Sequence, residues 1–170
     1  SLRPSNGTGD FTFARSSSGT RVNSEGLIET AQVLGSEEVT NGDFATDSNW
    51  TKGTGWTISG GKANASSATS DFTQSISFTL GKTYKVNYTI SNYSSGSVRV
   101  LLGAYIAGTT RNSNGTFTEL ITPTNPSSNS LLYLEALSGF NGSIDNVSVK
   151  EVFENDVPRL DYSDGSCASL

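Results

Sequence analysis

With 170 residues, the chain is long enough for one substantial core and a small appendage. Its formal net charge of -5, with no run of Lys or Arg, argues against nucleic acid or an anionic membrane as the main partner. There is no His, and Cys167 is the single cysteine, which removes imidazole bases, Ser-His and Cys-His nucleophile pairs, imidazole metal ligands and an internal disulfide.

Ser, Thr, Asn and Gly dominate the polar residues, a bias toward turns and strands over helices. No apolar stretch approaches membrane-spanning length. The first residue is Ser and no signal-peptide pattern precedes the strands, so a trimmed or processed chain is expected. Residues 1–10 read as a linker. Phe11 to Arg15 alternates as a short strand, and Thr20–Asn23 with Gly26–Glu29 reads as a hairpin around Ser24-Glu25.

From residue 36 onward the pattern changes. Turn signals recur at Asn41-Gly42, Gly60-Gly61, Asn114-Gly115 and Asn141-Gly142, dipeptides that supply the positive φ angles of tight turns. Strands are predicted at Trp56–Ser59, Lys62–Ala65, Phe72–Leu80, Thr83–Ser91, Ser97–Ile106, Phe117–Thr122, Leu131–Ala136 and Gly142–Lys150. Tyr84, Val86, Tyr88 and Ile90 share one face of their strand; Val98, Val100, Leu132 and Leu134 repeat the pattern. These eight are the expected core. The fold class is all-β, an antiparallel jelly-roll sandwich over residues 36–150. The flanks 1–35 and 151–170 are expected to meet as a small β stem.

Four features of the central block carry a family resemblance: Asn41-Gly42-Asp43-Phe44, Gly55-Trp56, Gly81-Lys82-Thr83-Tyr84 and Ile144-Asp145-Asn146-Val147-Ser148-Val149. Together they resemble the jelly-roll carbohydrate-binding modules of families 4, 9 and 22. The resemblance implies a buried Trp56 and a glycan site with exposed aromatic rings. Trp50 lies in a polar loop and is the expected stacking platform, with Tyr93, Tyr105 and Tyr133 lining a sheet face. Arg99 and Glu135 are out of phase with the core and are the expected hydroxyl partners. The resemblance also implies a structural calcium near Asp43 and Asp145. Here Ala45 stands where an acidic residue is often found.

The flanks resemble something else. Phe13 to Asn23, followed by Gly26-Leu27-Ile28-Glu29 and by Val157-Pro158-Arg159-Leu160-Asp161-Tyr162, is similar to a recurrent segment of bacteriophage tail and fibre proteins. This implies a fragment of a longer virion protein, with other virion subunits and host-surface glycan as partners. A homo-oligomer, trimeric by fibre analogy, is expected. Glu119, Glu135, Asp71 and Asp145 are available carboxylates, but no spacing singles out a hydrolytic pair, so no enzyme activity is expected. The alternative is a glycan-binding module of a secreted polysaccharide-degrading enzyme; a third reading is an assembly domain without a ligand.

Overall fold

The computed structural model describes residues 19–22, 28–31, 33–103, 106–125 and 130–153. These divide between two units. In the smaller unit, β1 (Gly19–Val22) pairs antiparallel with β2 (Ile28–Ala31), with Val22 opposite Ile28. The expected pairing of these two strands is therefore present, while the turn expected at Ser24-Glu25 lies outside the described residues. The strand expected at Phe11 and the Val157–Tyr162 partner lie outside the described residues, and with them the union of the flanks.

The larger unit, Leu34–Val152, is all-β, and no helix occurs among the described residues. Its strands are β3 (Val33–Glu37), β4 (Thr51–Lys52), β5 (Trp56–Ser59), β6 (Lys62–Ala68) and β7 (Phe72–Ser75). They are followed by β8 (Tyr84–Leu102), β9 (Ile106–Ala107), β10 (Gly115–Ile121) and β11 (Leu131–Phe153). All the registered pairings are antiparallel, and the strands form a nearly closed, barrel-like sandwich of jelly-roll type.

Two pairs of predicted strands are each one bent strand. β8 covers residues 84–91 of the first expected strand and 97–102 of the second, which breaks at Gly103 so that Ile106 falls in β9 instead; β11 covers both Leu131–Ala136 and Gly142–Lys150. Each takes part in both layers. In the first layer, residues 84–91 of β8 lie between β10 and the second half of β11, which continues to β6 and β5. β3 also borders that half of β11, where Glu38 N–H donates to Val149 O at 2.9 Å. In the second layer, residues 97–102 of β8 lie between β9 and residues 131–137 of β11, followed by β7 and β4.

The bends sit where φ turns positive: Asn92 and Gly96 in β8, Ser138 and Gly139 in β11. The β8–β11 register slips at the same place, between Leu137 and Ser143. A bulge or left-handed residue lets a strand change direction while the ladder continues on either side.

Side-chain alternation fills the space between the layers. Tyr84, Val86, Tyr88, Ile90, Val98, Val100, Leu132 and Leu134 are all buried, as their period-two spacing predicts. A chain of rings joins them: Phe44 and Trp50 against Phe72, Phe72 against Trp56, Trp56 against Phe140, and Phe140 against Tyr93. Trp56 takes the core place expected of it and donates its indole N–H to Ser70 O at 2.8 Å.

Gly96 tests the bend. Its φ is +71°, and a Cβ there would sit 2.6 Å from the backbone N of Phe140. Gly96→Ala should cost at least about 1–3 kcal/mol from backbone strain alone, read as a lowered urea midpoint. Gly139→Ala has an equally positive φ but open space around it, so it should cost less.

Candidate functional site

The loop 40–50 overturns one expectation. Trp50 is buried, at 7% exposure, and its ring stacks on Phe72 at 4.9 Å and 13°. The cause is Asn41. Its side chain ties the loop into a knot, donating to Thr46 O and Ser48 O and accepting from Thr46 N–H. Its carbonyl accepts the Phe44 N–H and the Trp50 indole N–H, at 3.2 and 3.1 Å. A polar local sequence thus folds over an indole whose own donor is satisfied inside. Trp50 is a core residue, not a sugar platform.

Tyr93 is also claimed by the fold. It packs against the core, near Phe140, and donates its hydroxyl to Gly96 O at 3.0 Å across the β8 bend. Tyr105 lies outside the described residues.

The remaining three expected residues come together on the outward face of the second layer. Alternation turns Arg99, Tyr133 and Glu135 away from the core. Register then sets Thr51, Thr73, Tyr133, Leu101 and Ala107 side by side across five strands. Arg99 and Glu135 face each other one step along and form an ion pair. Asp71, just before β7, joins this pair electrostatically. The face therefore carries one phenol, two threonine hydroxyls and a small mixed-charge group. Leu101, opposite Tyr133 in register, is buried at 7% exposure and adds little apolar surface to this face.

Sequence reasoning left Asp71 unassigned, because its proximity to Arg99 and Glu135 depends on strand register. It also missed a second polar group, at the seam between β10 and residues 106–111. Glu119 accepts from the Tyr88 hydroxyl at 2.9 Å, from Arg111 Nε and Nη2 at 3.2 and 3.1 Å, and from Thr109 N–H at 2.7 Å. The Arg111 guanidinium sits 4.5 Å over the Phe117 ring. Burial, followed by the bond to Glu119, holds the Tyr88 phenol well above its ordinary range. One signal was legible: Glu119 alternates in phase with Phe117 and Ile121, an acid on an inward face. The seam holds a cavity of about 440 Å³, lined by residues 106–109, Arg111 and 118–122.

Asp43 and Asp145 use their carboxylates locally. Asp43 accepts from Ala45 N–H at 3.4 Å and Asp145 from Asn146 N–H at 2.7 Å. Among the described residues no three acidic, His or Cys side chains converge.

No protein-family model matches the chain, and no curated protein matches it.

Two predictions arise from this geometry. Trp50→Ala should destabilise the fold by about 3–5 kcal/mol, since it empties an aromatic site in the core; chemical denaturation measures this. Asp71 gives a pH effect. Burial, then the Glu135 charge, raise its carboxyl pKa above the ordinary 3.8, against a smaller opposing effect of Arg99. The folded state then holds that proton more tightly than the unfolded chain does. The resulting stabilisation is present below 3.8 and is lost as pH rises through the folded value. Asp71→Asn removes this titration. Wild-type stability relative to the variant should therefore fall as pH rises above the ordinary 3.8, measured from paired urea midpoints.

Proposed function

We propose that the chain is a non-catalytic component of a bacteriophage virion, a tail fibre or capsid appendage. In this reading its sandwich displays a glycan-contacting face toward the host surface. One observation carries the glycan reading: the outward row Thr51–Thr73–Tyr133–Leu101–Ala107, flanked by Asp71, Glu135 and Arg99. Carbohydrate is recognised by an aromatic face against its C–H patches and by paired donors and acceptors against its hydroxyls. The Tyr133 ring, with a carboxylate, a guanidinium and two threonines within the same two rows, offers both.

The virion reading is supported by the resemblance of the flanks. It brings with it other virion subunits as partners and a homo-oligomer, trimeric by fibre analogy, assembled through those flanks. No catalytic role is included. Glu119, the most enclosed carboxylate of the seam, is occupied by Tyr88, Arg111 and Thr109 and has no second acid opposite it among its hydrogen-bond partners.

A panel of purified bacterial surface polysaccharides, titrated calorimetrically, tests this reading. Binding to at least one neutral polymer is expected. Tyr133→Ala should weaken it by about 1 kcal/mol, and Glu135→Gln should weaken it without altering the thermal midpoint by more than a few degrees. Undiminished affinity in both variants would remove this face from the site, and no binding across the panel would remove the glycan reading.

A further inference from the structure

Three Asn-Gly pairs fall among the described residues: Asn41-Gly42, Asn114-Gly115 and Asn141-Gly142. An Asn followed by Gly can modify itself. The backbone nitrogen of the Gly attacks the side-chain amide carbon, and a Gly has no Cβ to hinder the approach. Folding decides which pairs can react, because the Asn side chain must first leave its native partners and swing onto the backbone.

Two of the pairs are held. Asn41 makes three side-chain hydrogen bonds, donating to Thr46 O at 2.7 Å and Ser48 O at 3.0 Å and accepting from Thr46 N–H at 3.2 Å. Asn141 also makes three, donating to Ser95 Oγ at 2.9 Å and Gly139 O at 3.0 Å and accepting from Ser67 N–H at 2.9 Å. In both, the nitrogen that would depart as ammonia is tied by two bonds. Their glycines are fixed as well. A Cβ on Gly42 would sit 2.0 Å from Val147 O, and Gly142 is buried within β11.

Asn114 differs on each count. It is exposed, whereas Asn41 and Asn141 are half-buried. Its side chain accepts the Tyr93 N–H at 2.9 Å, and Nδ2 has no acceptor among the described residues. Gly115 is the first residue of β10, opposite Ile90 on the terminal rung of the ladder, where a strand opens at least cost. Asn114 therefore gives up one bond where the others give up three. Two net hydrogen bonds change the population of a released side chain roughly thirtyfold.

We propose that Asn114 is a site of spontaneous deamidation in the folded protein, while the fold protects Asn41 and Asn141. Gly115 N attacks Asn114 Cγ. A C–N bond forms, the bond to Nδ2 breaks, and ammonia leaves a cyclic imide behind. Water then opens the imide. Cleavage at one carbonyl gives Asp; cleavage at the other gives isoaspartate, whose backbone runs through the former side chain. Either product adds one negative charge to a chain of net charge -5. The isoaspartyl form also inserts a carbon into the backbone just ahead of β10, in the turn that Asn114 fastens to the β8 bend through Tyr93 N–H. None of this depends on the glycan reading.

Ageing the full 170-residue chain in mildly alkaline buffer enriched in heavy-oxygen water, below its unfolding transition, tests the proposal. Peptide mapping with fragmentation then reads the incorporated label at each Asn. Conversion at Asn114 is expected to outpace that at Asn41 and Asn141 by roughly tenfold or more, with isoaspartate as well as Asp at 114. In guanidinium chloride above the unfolding midpoint, the three rates should converge to within about a few-fold, since none of the native bonds then remains. A folded chain in which Asn114 converts no faster than Asn41 or Asn141 overturns the proposal. So do rates that differ as much in the unfolded chain as in the folded one, because the fold would then not be the cause.

Discussion

β8 and β11 each serve both layers of the sandwich, and the rest of the architecture follows from that constraint. A strand shared by two layers must change direction without giving up its ladder. Here the change is made at Asn92 and Gly96 in one strand and at Ser138 and Gly139 in the other. The bends face each other, which is why Gly96 has no room for a side chain beside Phe140. Tyr93 bridges the bend with its hydroxyl on Gly96 O, and Asn141 ties it further by donating to Ser95 and Gly139. Residue types that read as loop in the sequence are, in the fold, the corners of continuous strands.

The bent strands leave a space that only large side chains fill. Phe72 stands at the centre of it, touched by Phe44, Trp50 and Trp56. The Asn41 loop exists to deliver two of those rings. Gly42 lies so close to Val147 O that a Cβ would sit 2.0 Å from it, and Gly42 O accepts the Val147 N–H at 2.9 Å. The opening Asn-Gly-Asp-Phe and the closing Ile-Asp-Asn-Val segments are thus two sides of one backbone contact. Gln74, one of the few buried polar residues, secures the same loop by bonding Thr40 in both directions. These motifs act as closure devices for the core, which explains their character without any ligand.

With the inner rings committed to packing, the glycan contact proposed above falls to the outside of the sheets. The second layer presents a mixed face of Tyr133, Arg99, Glu135 and Asp71. Among the described residues the first layer ends at β10. The buried group at the seam separates these two surfaces chemically. Glu119, the one charged residue of β10, is paired there with Arg111. The same pair satisfies the Tyr88 hydroxyl, so a core tyrosine keeps its hydrogen bond.

Period-two alternation determined the all-β class and which residues of each strand face inward. Tyr84 to Ile90, Val98, Val100, Leu132 and Leu134 could be assigned to the core because a strand has only two faces and only one of these was apolar. The same rule turned Arg99, Tyr133 and Glu135 outward. What the sequence did not determine was anything set by contact between distant segments. Strand pairing placed Asp71 beside Glu135 and Arg111 on Glu119, over separations that no local pattern records. The fate of Trp50 was decided in the same way. Its neighbours in sequence are polar, and only the folding of Asn41 back over the loop brings Phe44 and Phe72 to its ring. Burial of a single aromatic residue depends on what the chain lays over it, and that is a property of the tertiary structure.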